Sequence, residues 1–241
     1  MNSYRRFRAV YLLAACVLGL SVLGAGQALS QGAKKDQRPP AAPASTPAPA
    51  GAPGVVAGPT AEVEGFRSAK FGMDEAAVKA AIAKDFNLKG ADVKEQPNAG
   101  ERTKVLLIKA PDVLPGGGAA EVSYVFGYQS KKLIQVSVAW SKGTDDKMTP
   151  EQLFSNSSVL RAHFMGEGFK PESVASNMPI NGGLLIFRGS DAKDRTAMLI
   201  LQGTLTQGTD NQRVLTPASL LLFYVADAKA PDVYRLPPGS F

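Results

Sequence analysis

The chain is 241 residues long, 44% hydrophobic and 20% charged, with 27 Lys and Arg against 21 Asp and Glu and a single cysteine, Cys16. Its net charge of +6 originates near the N-terminus: from Ala61 onward 21 basic residues face 20 acidic ones, so the bulk of the chain lacks the electrostatic footprint of a nucleic-acid binder. With the lone cysteine so close to the start, the remainder has no disulfide, thiol nucleophile, haem-attachment pair or cysteine-ligated metal, and roughly 180 residues must be held by an ordinary apolar core.

Arg5, Arg6 and Arg8 precede the apolar run Ala9 to Gly26, which is followed by "QALSQ". That order of charged, apolar and small residues predicts a secretory signal over residues 1–30, with cleavage after Ala28 or Ser30. The mature chain is then expected to carry no membrane span and to reside in the periplasm or outside the cell. "LAAC" at Leu13 to Cys16 has the form of a lipobox, but the apolar run continues past Cys16, where polar residues belong. The Arg5–Arg6 pair lacks the twin-arginine spacing, because Phe7 follows directly. Residues 31–61 are mostly Pro, Ala, Gly and Ser, with no aromatic residue and no apolar periodicity, and are expected to form a flexible tether.

The folded part is expected to open with "FRSAKFGMDEAAVKAAIAKDF", residues 66–86. Asp74 is an N-cap, Glu75 suits the positive end of the helix, and Met73 is placed to staple onto Val78. Val78, Ile82 and Phe86 then share one face. The device returns in "KMTPEQLF": Met148 precedes the cap Thr149, Pro150 takes the first helical position, Gln152 completes a capping box and Leu153 is the staple partner. Leu160 and Phe164 extend that apolar face, Gly166 and Gly168 are expected to end the helix, and "FSNSS" at 154–158 is a point where it could kink.

Three strands are predicted after each helix: 103–108, 121–128 and 133–140, then 183–190, 196–204 and 219–227. The second set is more uniformly apolar, which places it toward the middle of a sheet with both faces covered. The expectation is an α+β fold of two helix-β-β-β repeats, 62–145 and 146–241, in one compact domain whose antiparallel sheet carries the helices on one face. "FGMDEAAVKAAI" resembles the helix start of beta-lactamase-inhibitor-protein-like domains and small outer-membrane-assembly lipoproteins. That resemblance implies helices on one face of an antiparallel sheet, in tandem in the inhibitor, and a binding role in the envelope.

Residues able to do chemistry are sparse. His163 is the sole histidine, set between Leu160 and Phe164 on a predicted helix. "PGGGA" at 115–119 has no Lys-Ser or Lys-Thr after it and no following helix, so a turn explains it better than a phosphate loop. The pairs Asp145–Asp146 and Asp191–Asp194 lack the acidic spacing of a calcium loop, and Asn156 opens an "NSS" sequon. No catalytic, cofactor or metal residue is assigned. The sequence favours a non-catalytic extracytoplasmic module that binds another envelope protein or cell-wall material. The alternative is an envelope hydrolase using His163 with a Ser or Asp partner.

Overall fold

A computed structural model describes residues 59–207, 213–237 and 239–240. The predicted signal and nearly all of the predicted tether lie outside the described residues. A two-stranded ribbon comes first, β1 (Gly65–Phe66) with β2 (Ala69–Lys70), and leads into helix α1 (Glu75–Phe86). Four strands follow: β3 (Lys94–Asn98), β4 (Thr103–Ala110), β5 (Ala120–Phe126) and β6 (Leu133–Ser141). Helix α2 (Pro150–Met165) then precedes β7 (Ala175–Ile180), β8 (Gly183–Ser190), β9 (Thr196–Gln207) and β10 (Arg213–Val225). The fold is thus mixed α and β, with a large antiparallel sheet, a small one and two helices among the described residues.

The large sheet has eight strands in the order β3-β4-β5-β6-β10-β9-β8-β7. Its centre is the β6–β10 pair, where Trp140 lies opposite Leu220 and Val138 opposite Leu222. Register carries these residues into one row across the sheet: Leu106, Tyr124, Val136 and Tyr224 lie side by side, as do Ile108, Val122, Val138, Leu222 and Leu199. Val78 and Ile82 of α1, and Leu153, Leu160 and Phe164 of α2, join that face in a single core. Residues of β9 and β10 that point the other way, such as Ile200 and Phe223, are buried as well, which is why both strands read as continuous apolar runs.

Both helix starts are built as the sequence indicates at the cap. Asp74 accepts from the Ala77 amide at 3.0 Å, and Thr149 Oγ1 from the Gln152 amide at 3.2 Å. Two local expectations change. Gln152 does not close a capping box, because its Nε2 is turned along the helix to donate to Asn156 Oδ1 at 2.9 Å. Nor does "FSNSS" divide α2: Ser157 and Ser158 donate to the Phe154 carbonyl at 2.8 and 2.9 Å, and the helix runs through without a break. The cap at its C-terminus is Gly166, in a right-handed conformation, with the left-handed glycine delayed to Gly168.

The larger correction concerns strand number, which is four after each helix rather than three. The extra strands, β3 ("KEQPN") and β7 ("ASNMPI"), are the two edges of the sheet and are exposed or half-buried throughout, with a proline in each. A single apolar neighbour strand suffices to hold such an edge, and proline and charge there block further pairing. They carry no apolar alternation by which they could be read. Beyond β10 the chain returns across the turns of the first half. Ala226 donates to Ile134, Tyr128 to Asp232 and Tyr234 to Glu101, and the Arg102 guanidinium stacks 3.7 Å from the Tyr234 ring centre. The C-terminal segment therefore packs on strands 62–145 as well as on its own half. No helix among the described residues is long and apolar enough to cross a membrane.

Candidate functional site

His163 sits in the last turn of α2 with 59% of its side chain exposed, and its Nε2 lies 3.0 Å from Glu167 Oε1, four residues on. The partner is thus a carboxylate of the same surface turn, and the arrangement is that of a solvated helix end. The acidic pairs have other work. Asp145 accepts from the Ala119 and Lys147 amides, which closes the loop 115–119 against the start of α2. Asp191 is buried, and its two oxygens accept from the amides of Val63, Lys193 and Arg195 and from Arg195 Nε. Burial alone would raise the Asp191 carboxyl, but those four donors outweigh it and hold it below its ordinary value. Asp194 pairs with Lys170 and Lys229 at the surface. Among the described residues no group of three or more His, Cys, Asp or Glu is arranged to hold a metal ion.

The glycines of 115–119 connect β4 to β5. Gly117 is bolted to α2, its carbonyl taking 2.8 Å from Asn156 Nδ2 while its amide donates to Leu114. The same bond bears on the sequon: Asn156 is 2% exposed, with its Nδ2 donating to Gly117 and its Oδ1 accepting from Gln152, so it is no acceptor for a glycan in the folded chain. Each of these residues is accounted for by folding.

What folding does not account for lies on the outside of α2. Leu153, Ser157, Leu160 and Phe164 face the core, and the side turned away presents Phe154, Ser155, Ser158, Val159, Ala162 and Met165. Phe154, Val159 and Met165 are 44%, 52% and 50% exposed. Glu151, in the first turn, is the only acidic residue of the helix. Helix α1 differs: Glu75 and Lys79 pair with each other and with Lys104 and Glu95 in a four-membered ring of salt bridges, and Lys84 is exposed beyond them. Bonds from Lys104 and Lys79 draw the exposed Glu95 carboxyl down to about 2.

A second exposed feature adjoins the N-terminal end of α2. Strand β8 starts at Gly183 opposite Gln202, and β6 ends at Ser141 opposite Ser219. Strands β9 and β10 continue past both, and Gly203–Gln207 runs antiparallel beside Arg213–Pro217. A register shift between Pro217 and Ser219 marks where this two-stranded arm leaves the sheet. Leu205 and Val214 on it are 41% and 51% exposed. The predicted strands end at Thr204 and begin at Ser219, short of the arm, for which the β-branched residues of "TLT" and "RVLT" are the available signal.

No protein-family model matches the chain, and comparison with curated proteins and with solved structures finds no match either.

Proposed function

We propose that this chain is a non-catalytic binding module of the bacterial cell envelope, exported by the segment 1–30, held on the tether 31–61, and docking another envelope protein through the outer face of α2. The observation that carries the reading is that face itself. Three large apolar side chains ride on four turns of helix, with the small residues Ser155, Ser158 and Ala162 exposed among them and Arg161 and His163 flanking them toward the C-terminal end, whereas the other helix of this domain, α1, carries paired charges along its outer side. A partner of matching chemistry presents an uncharged apolar patch about 16 Å long, the rise of the eleven steps from Phe154 to Met165.

The domain behind that face is, on this reading, an internal duplication. Helix, 3-10 turn and four strands recur in the same order, at 75–141 and 150–225, and each edge strand carries a proline, Pro97 and Pro179. The strand order runs inward from β3 and from β7 to meet at β6 and β10, as two copies related by a twofold axis would. This extends the resemblance of "FGMDEAAVKAAI" to tandem inhibitor-like domains, and it supplies a reason for the contrast between helices. Of two copies, one kept a solvated outer surface and the other acquired a binding one.

Charge insertion tests the proposal. Val159→Glu on α2 and Ala80→Glu on α1 both place a carboxylate at an exposed helical position, so both should melt like the parent. Affinity capture from solubilised envelopes should recover a defined partner with the parent and with Ala80→Glu, and lose it with Val159→Glu. Equal recovery by all three would discard the α2 face as the docking surface.

A further inference from the structure

We infer that the β3–β4 and β5–β6 turns carry an anion site, built on Arg102 and Lys131 around the Tyr128–Tyr234 pair, that takes a phosphate monoester. The two cations come from different hairpins. Arg102 ends the turn before β4 and Lys131 lies in the turn before β6, and their charged groups lie 6.0 and 5.3 Å from the centre of the same Tyr128 ring. Arg102 also stacks 3.7 Å from the Tyr234 ring centre, and the two rings meet edge to face at 5.5 Å. Asp232 holds the arrangement together. Its carboxylate oxygens accept from the Gln129 and Ser130 amides at 2.9 Å each and its carbonyl from the Tyr128 amide, which docks the segment bearing Tyr234 against the turn.

Backbone conformation separates the role of these side chains from that of turning the chain. Both residues are left-handed, with φ of +52° at Arg102 and +56° at Lys131, a region that glycine and asparagine occupy far more readily than arginine or lysine. The corresponding turn of the second half, before β8, uses Gly182 at φ +77° with open space around it. A glycine would therefore serve the β3–β4 turn, and the arginine contributes only through its side chain.

The hydrogen-bonding capacity of that side chain is unspent. Stacking uses the flat face of the guanidinium and leaves its five N–H groups at the edge. Among the described residues none forms a hydrogen bond or ion pair with Arg102. Lys131 donates one N–H to the Tyr128 carbonyl and keeps two. The neighbouring carboxylates have other partners: Asp74 pairs with Lys132 at 3.6 Å, Glu101 accepts from Asn98 Nδ2 at 3.0 Å and lies near Arg235, and Asp232, near Lys131, has both oxygens held by amides. A planar fork and a compact ammonium beside one ring suit a ligand with several oxygens and two negative charges. A phosphate monoester offers both, whereas a carboxylate satisfies only the fork. The half-buried tyrosines add ring surface on which a sugar can rest.

The test uses the full-length chain and two probes, inorganic phosphate and glucose 1-phosphate, followed by NMR at the Arg102 Nε–H and the amides of 128–131 and 234. Both should give saturable shifts confined to these groups, with a dissociation constant on the order of millimolar for so exposed a site. Tighter binding of glucose 1-phosphate assigns a sugar contact to the tyrosines, and equal binding limits the site to the phosphate; either upholds it. Glucuronate, the carboxylate control, should bind at least about tenfold more weakly. Arg102→Gly suits the left-handed turn, and relief of strain there offsets the lost stacking, so it should melt like the parent and weaken phosphate binding at least about tenfold. Lys84→Gln, at an exposed position of α1, should bind like the parent. The absence of saturable shifts, glucuronate binding as tight as that of phosphate, or a folded Arg102→Gly variant that binds like the parent would each overturn the inference.

Discussion

Replacing Asp191 with Asn separates charge from shape at the most heavily used buried carboxylate of the domain. Asp191 Oδ2 takes the Val63 amide at 2.9 Å and Arg195 Nε at 2.7 Å, and Oδ1 takes the Lys193 and Arg195 amides at 2.9 Å each. An asparagine offers one oxygen, so its NH2 must face two of those four donors. At roughly 1–3 kcal/mol for each buried donor left without an acceptor, and discounting for the partial exposure of Arg195, the loss is about 3 kcal/mol. Urea denaturation followed by circular dichroism reads it directly. The pH dependence supplies a second readout. The folded-state pKa of Asp191 lies below its unfolded value, so its contribution is complete above the ordinary carboxyl value of 3.8 and is lost as pH falls through the folded value. The Asn variant should therefore show its full deficit at neutral pH and converge on the parent in acid. Because Asp191 holds Val63 onto the β8–β9 turn, the variant should also be cut faster by protease between Ala61 and Glu64. A loss below about 0.5 kcal/mol, or a deficit that persists undiminished in acid, would refute the assignment of Asp191 as a four-donor clamp.

Other perturbations follow from single contacts. Asp74→Ala and Thr149→Ala each remove one cap bond and should cost about 1 kcal/mol, while Val78→Ala and Leu153→Ala, in the core, should cost about 2–3, all measured by denaturant titration. Gly168→Ala should cost more than the same change at Gly182, which has a similar positive φ but open space around it, because Gly168 sits at φ +76° and a Cβ there would collide with the Pro59 carbonyl; a thermal shift near zero would contradict that packing. Glu95→Gln should cause a small loss of stability at neutral pH that fades as pH falls from 4.5 toward about 2, the window over which the bonded Glu95 carboxylate is protonated. A loss independent of pH would mean that the ring with Lys79 and Lys104 contributes through packing rather than charge.

The helices were readable because caps and apolar spacing are local: Asp74, Pro150 and the Val78–Ile82 and Leu153–Leu160–Phe164 stripes act within one or two turns. The inner strands were readable because β9 and β10 bury side chains on both faces. The edges were not, since β3 and β7 owe their conformation to the backbone groups of β4 and β8, a dependence between strands that their own short sequences do not display. The arm escaped for the same reason. Thr204 and Thr206 are extended because they pair with Thr216 and Val214 on the neighbouring strand. The individual residues suspected of chemistry could be placed only in three dimensions: Asp191 lies 128 residues from the Val63 amide it clamps, and Asn156 is occupied by a carbonyl of the 115–119 loop. The exposed face of α2 was present in the sequence as Phe154, Val159 and Met165, but which side of the helix meets solvent depends on how it lies over β8, β9 and β10.

The most direct measurement of the central claim is site-specific photocrosslinking in intact cells that express the full chain, with a photoreactive side chain at Val159 on α2 or at Ala80 on α1. The account predicts a discrete higher-mass adduct at Val159, formed with one protein, which is competed away when the unlabelled parent is overproduced, and no such adduct at Ala80. Absence of an adduct at Val159, or the same adduct at both positions, would contradict it.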